Sequence, residues 1–448
     1  MSAFKASADD FITDISALRE MLGPVMGMVA TTGKQFDDDH LNALKRYATE
    51  ERTEGTVKYF RIPPERRQEI GRHRRRNEKY RTASTLLPRT FLVSFVSTFD
   101  AFIGNLAHAV LASKPETLNS SGKQLSYKEL IGFADMDAAR RHVVETEVEG
   151  LLRKSHSEQI AWLEKFHKNL RDSSWKTFIE LTERRNLFVH CHGKVSAQYI
   201  GVCKEHGIST DAVQIGETLT ARPKYLDEAY KCLFETGVKL SQSLWRKLAP
   251  GEIPAADDAL MEVTFNLLVD EQYDLAIRLL EFAQLVKCHE DATRRVMLVN
   301  LALAYKFSGN DEKCASTLAA SDWSACSDNF VTCIAVLSDD FEGAAKAMHR
   351  IGKNGSIRQH DYMDWPVFKA FRKSENFLQA YSEIFGSDAG EYLQHEAKTE
   401  EADAHGAGHQ DLSEDAAVDS PTESFQKELT PVEQSLTDAQ GEDEGSAR

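Results

Sequence analysis

Apolar positions recur at three- and four-residue spacing along most of the chain, the period of helices that bury one face. Residues 8 to 30 carry Phe11, Ile12, Ile15, Leu18, Leu22, Val25 and Met26 in that pattern, and Gly23-Pro24 is expected to kink or end the helix. Leu86 to Ala112 reads as a long core helix, with Phe91, Phe95, Phe99, Phe102, Leu106 and Val110 as its stripe and Lys114-Pro115 as its stop. A turn at Ser120-Ser121-Gly122 follows, and helical patterns resume over Met136–Arg153 and Gln159–Leu170. Trp175, Phe178, Leu181 and Phe188 mark another amphipathic helix, which Gly193 is expected to end near Cys191 or His192. Val213 to Leu219 suggests a short hairpin. Tyr225 to Leu248 returns to helix, with Ala229, Leu233, Val238, Leu240 and Leu244 inward. The pattern predicts an all-α chain with four or five helices around one core, an antiparallel bundle.

Ala249-Pro-Gly-Glu-Ile-Pro reads as an interdomain linker. Beyond it, helical segments alternate with acidic turns: Asp270-Glu-Gln, Gly309-Asn-Asp and Ser338-Asp-Asp. Each leads to a small alanine, Ala276, Ala315 and Ala344, at intervals of 39 and 29 residues. The mean of about 34 is the period of tetratricopeptide repeats, paired helices that bury each other's apolar faces. Residues 256–386 therefore read as a tetratricopeptide-like helical-repeat domain. Trp365 to Arg372 and Phe377 to Phe385 form its last helices. From 387 to 448 the composition turns to Glu, Asp, Ala, Ser, Gly and Gln, which reads as a disordered acidic tail.

The formal net charge of −16 over 448 residues splits into −12 for residues 396–448 and −4 for the rest. The acidic average therefore describes a tail and does not argue against a nucleic-acid partner. Residues 61–81 run the other way. Nine basic residues there, Arg72, Arg74, Arg75, Arg76 and Lys79 among them, face three glutamates. Such a run can neutralise several phosphates and is a candidate RNA-binding segment of an N-terminal helical region, residues 1–84. The usual alternative is a solvated helix face. The seven cysteines are odd in number and scattered, which points to a reducing, cytoplasmic location rather than a disulfide framework. No basic-then-apolar leader opens the sequence. Residues 91–112 are long enough to span a bilayer, but Asp100, Asn105 and His108 interrupt them, so a buried helix is expected and no membrane partner.

Candidate chemistry concentrates at residues 175–193. Arg185 falls about 20° from the apolar stripe, counted from Phe178. A guanidinium so close to a buried face needs a partner, and Asp100, flanked by Phe99 and Phe102, is a candidate. His190 sits in the last turn, where the carbonyl end of a helix favours imidazolium. Asn186 and His190 share a face, about 40° apart, whereas Arg185 and His190 are about 140° apart.

Arg185-Asn186-x-x-x-His190, with Trp175 upstream and Gly193 and Tyr199 downstream, resembles the signature of HEPN domains, small helical domains many of which are metal-independent ribonucleases. The resemblance covers roughly residues 85–248 and is strongest over 175–199. It implies that Arg185, Asn186 and His190 form a catalytic set, and that a homodimer brings two such sets across one groove. The set suits cleavage by the ribose 2′-hydroxyl: an imidazole moves a proton, and an arginine steadies the phosphate. Active relatives of this type include toxins and anti-phage defence factors, with the repeat domain then serving as a sensor or docking arm for a protein partner. The alternative is a non-catalytic HEPN interaction module. No cofactor is expected. His190, Cys191, His192, Cys203 and His206 are rich in ligand types, but three are consecutive and no Cys-x-x-Cys accompanies them, so no metal is expected either. No Walker motif or nucleophile elbow occurs.

Overall fold

The computed structural model describes residues 2–54, 57–120 and 125–386. The acidic segment 387–448 and most of the Ser120–Gly122 turn lie outside the described residues. The chain divides into two compact units, Met1–Pro250 and Gly251–Arg448. Both are helical, and the described residues contain two short strands.

The first unit opens with α1 (Ala3–Tyr47), a hairpin of β1 (Glu50–Glu54) and β2 (Val57–Arg61), and α2 (Arg67–Ser113). Then come α3 (Tyr127–Leu130), α4 (Met136–Leu152), α5 (His156–Leu163), α6 (Trp175–His190), α7 (Ala197–Glu205) and α8 (Pro223–Leu248). Several expectations need correction. Gly23-Pro24 does not end or divide α1, which runs through Pro24 for 45 residues. Likewise α2 begins at Arg67 rather than Leu86 and passes through Pro88. A proline inside a helix forfeits one hydrogen bond and crowds the preceding turn. Here the two long helices pack along each other on both sides of these positions, and that continuous contact outweighs the local cost. The β-hairpin between them, with Glu51 opposite Phe60 and Arg52 opposite Tyr59, was not anticipated. Residues 213–219 do not form a hairpin of their own. Lys194 bridges Thr218 instead, and Val195 N–H donates to Glu217 O at 2.8 Å. The segment expected as Gln159–Leu170 is shorter, ending at Leu163.

The core of this unit lies where α1, α2, α6 and α8 meet. Phe11 stacks on Phe102 at 4.6 Å, Phe99 meets Phe178 edge-on at 5.1 Å, and Trp175 stacks on Phe178 at 5.4 Å. Each buried phenylalanine contributes about 1.5–3 kcal/mol of hydrophobic stabilisation. Gly237 on α8 makes the junction possible: a Cβ there would sit 2.3 Å from the Phe11 ring. The stretch of α2 apolar enough to cross a membrane is spent on this core, with Phe95, Val96, Phe99, Ile103 and Leu106 fully buried. The far halves of α1 and α2 are different. Between Ile15 and Tyr47 only Ala43 is buried, and between Arg67 and Phe91 only Asn77 and Pro88. Those halves form an antiparallel two-helix arm tipped by the β-hairpin. It is tied by Asn77 to Asp37 (2.6 Å), Arg81 to Asp37 (3.0 Å) and Tyr47 to Glu69 (3.0 Å).

The expected linker is a single 3₁₀ turn, Pro250–Glu252, that runs straight into α9 (Ile253–Val269). The second unit continues with α10 (Tyr273–Ala283), α11 (Asp291–Phe307), α12 (Asp311–Ala319), α13 (Asp328–Leu337), α14 (Phe341–Ile351), α15 (Asp361–Asp364) and α16 (Glu375–Phe385). The turns of the three pairs α9–α10, α11–α12 and α13–α14 share one construction. A left-handed residue stands in each: Glu271 (φ 56°), Gly309 (φ 80°) and Asp339 (φ 59°). The residue after it closes the turn with the same 2.8 Å bond five residues back, Gln272 to Leu267, Asn310 to Tyr305 and Asp340 to Ala335. Ala276 and Ala344 are buried, but at the middle position Cys314 is buried and Ala315 exposed, one residue off the alanine register. Aromatic side chains close the unit, with Tyr362, Phe368, Phe371 and Phe377 fully buried.

Candidate functional site

The α6 helix ends at His190, one residue before the expected limit. Leu187 O accepts from both Cys191 N–H and Gly193 N–H at 2.9 Å, while His192 and Gly193 take left-handed backbone (φ 52° and 80°). Arg89 of α2 secures the turn. Its guanidinium donates to His192 O at 2.9 Å and lies 5.2 Å from the Phe188 ring. Leu187 anchors the same end by packing in a cluster with Val195, Tyr199, Cys203 and Leu219.

About one and a half turns before His190, Arg185 Nη2 donates to Asp100 Oδ2 at 2.5 Å, and its Nη1 donates to Asn186 Oδ1 at 3.1 Å. Arg185 Nε is buried with no partner among the described residues. Asp100 is shared: its other oxygen lies 2.8 Å from His156 Nε2, at the start of α5. His156 in turn rests edge-on against Phe178 at 5.9 Å. Asn186 Nδ2 reaches Glu183 Oε1 at 3.3 Å. Burial raises the Glu183 carboxyl above its ordinary range, partly offset by the imidazoles of His156 and His206 and by the Asn186 bond. Asp100, His156, Glu183, Arg185 and Asn186 thus form one half-buried polar cluster drawn from α2, α5 and α6.

His190 stands apart from that cluster. It is exposed, and among the described residues it makes no hydrogen bond or ion pair. Glu183, Asn186 and His190 nevertheless lie within about 60° of arc on α6. Glu183 and His156 did not stand out in the sequence. His156 carries no local signal, and nothing in the spacing around Glu183 marks it as half-buried. The neighbouring Arg184 faces elsewhere. It donates to Glu180 at 2.8 Å, and Glu180 also accepts from Tyr199 (2.6 Å) and Tyr225 (2.7 Å). Burial, and then the Glu180 charge, pushes both tyrosine hydroxyls up, so they remain protonated donors that bind α6 to α7 and α8.

The pairs Asp100–Arg185 and Arg89–His192 run in opposite sequence directions, so α6 is antiparallel to α2 and its His190 end points toward the arm. The basic stretch is not beside the cluster. At 1.5 Å per residue, Lys79 lies about 15 Å and Arg72 about 25 Å beyond Arg89 along α2. Arg74 is paired with Glu78 (3.5 Å), and Arg76 covers the Phe36 ring at 3.9 Å. Arg72, Arg75 and Lys79 are exposed, with no ion pair among the described residues. Of the would-be zinc ligands, Cys203 is buried, and among the described residues no group of three His, Cys, Asp or Glu side chains is placed to hold a metal ion. None of the seven cysteines forms a disulfide. No family model, curated protein or solved structure matches the chain.

Proposed function

We propose that the protein is a metal-independent endoribonuclease of the HEPN type, acting through Arg185, Asn186 and His190 and assembled as a homodimer. What carries this reading is a guanidinium held by Asp100 and Asn186 about one and a half turns before an exposed imidazole on the same helix. In the reaction, the ribose O2′ attacks phosphorus and the P–O5′ bond breaks. The O2′ proton passes to one protein group, and a second group protonates the leaving O5′. The products are a 2′,3′-cyclic phosphate and a 5′-hydroxyl. His190 is one proton carrier. Glu183, on the same face and half-buried, is the other. Asn186 sits between them, and Arg185 supplies positive charge at the phosphate. A two-fold partner would bring a second α6 end to the same RNA. A toxin or defence factor, with the tetratricopeptide-like unit as its docking arm, is the role that fits such an activity.

Purified protein incubated with total RNA and EDTA should yield cyclic-phosphate ends, and His190→Ala should lower the rate at least about 100-fold without changing the melting temperature. Absence of cleavage by the wild-type chain would reject the enzyme. One observation favours a second reading, a non-catalytic scaffold: Arg185 already has a carboxylate partner in Asp100. In that case Arg185→Ala would lower the melting temperature while His190→Ala changed nothing measurable.

A further inference from the structure

The arm carries a charge pattern that the fold leaves unused. Arg72, Arg75 and Lys79 fall within about 60° of arc on α2, all exposed and without an ion pair among the described residues. Their basic neighbours are engaged: Arg74 with Glu78, Arg76 on Phe36, Arg81 with Asp37. Across the arm, Asp37 accepts from Asn77 and Arg81. Inside the arm, His40 is driven toward its neutral form by burial first and then by the nearby His73 and Arg74.

Position gives this basic stripe its meaning. The α2 helix is unbroken from Arg67 to Ser113, so the stripe and the Arg89 contact ride on one rigid element. The His190 end of α6 points along α2 toward the stripe. A polyanion lying along α2 from the α6 terminus would meet Lys79 after about 15 Å and Arg72 after about 25 Å. At about 2.8 Å per base pair in an A-form RNA duplex, 25 Å is about nine pairs.

The geometry points to the arm as a grip for RNA that extends about 25 Å from the cut, so that the substrate class is RNA stems of about nine or more base pairs rather than short oligonucleotides. The inference rests on the RNA reading of the α6 site, and binding can be measured apart from cleavage. The full chain carrying His190→Ala would be titrated with fluorescein-labelled RNA hairpins of 3, 6, 9 and 12 base pairs. Affinity should rise steeply with stem length up to about nine pairs and then level off. Changing Arg72, Arg75 and Lys79 together to Gln should cost at least tenfold on the 12-pair stem and flatten the length dependence. It should also reduce the slope of log affinity against log salt by about 2–3, the loss expected for three phosphate contacts. Length-independent binding, or an unchanged salt slope in the triple variant, would overturn the grip. So would equal or tighter binding to phosphatidylserine vesicles that the triple variant abolishes, because the stripe would then face a lipid surface. Length-dependent binding without cleavage by the wild-type chain would remove the nuclease and keep the grip. Cleavage insensitive to the triple change would do the reverse. Circular dichroism of the triple variant should match the parent, since none of the three side chains is buried.

Discussion

Glu183 shows how a single side chain is set by what surrounds it. Its carboxyl is raised by burial, so ionisation costs more in the fold than in the unfolded chain. Above the unfolded value the charge destabilises the fold, and below it both states are protonated and the penalty disappears. Glu183→Gln should therefore raise the melting temperature at pH 7, by an amount that vanishes below about pH 4. A gain that persisted in acid would mean that burial is not the cause. Arg185 and Asp100 illustrate the complementary case. Arg185 was legible as a charge near an apolar stripe, and Asp100 as an acid between Phe99 and Phe102. His156, which completes the arrangement, was not, because it lies on a short separate helix whose placement depends on packing.

Secondary-structure elements follow local rules until tertiary contact is worth more. The three equivalent turns of the second unit place a left-handed residue at Glu271, Gly309 and Asp339. Left-handed backbone costs a residue with a Cβ about 1–2 kcal/mol. Gly309 has open space around it, so Gly309→Ala should destabilise through backbone alone, by about 1 kcal/mol. Glu271→Gly should gain about 0.5–1 kcal/mol, less any contribution from its exposed pair with Lys369. Urea titrations of both variants check the opposite signs. If Gly309→Ala were neutral, the shared turn construction would not be a stability element. The acidic turns were readable because Asp, Asn and Gly cluster there. Their interval was not, since the loops between pairs vary in length. Pro24 and Pro88 misled for the same kind of reason: the rule that proline ends helices is local, and the α1–α2 contact is not.

Over the whole molecule, the proposed site needs a second chain. One copy offers Asn186 and His190 on one face of α6, with Arg185 turned to Asp100. Sedimentation equilibrium at micromolar concentration should then give about 100 kDa, twice the 50.3 kDa of one chain. A mass of one chain at all concentrations would remove the shared groove from the proposal and leave each α6 to act alone. The division at Pro250 matters for design as well. A 3₁₀ turn joins the two units directly, so insertions intended to separate them belong at Gly251 rather than in a longer linker.

By itself, the sequence determined that the chain is helical, which faces of those helices are apolar, and where the chemically distinctive residues cluster. Periodicity, caps and composition act within a few residues of the chain, and that range is what a sequence displays. Only the tertiary structure decided that α2 is one continuous element joining the Asp100 cluster to the basic arm. It also decided that His156 and Glu183 belong with Arg185, and that His190 stays exposed while Cys203 is buried. Those outcomes depend on contacts between residues more than 100 positions apart, such as Phe11 against Gly237 and Arg89 against His192, whose energies no local pattern encodes.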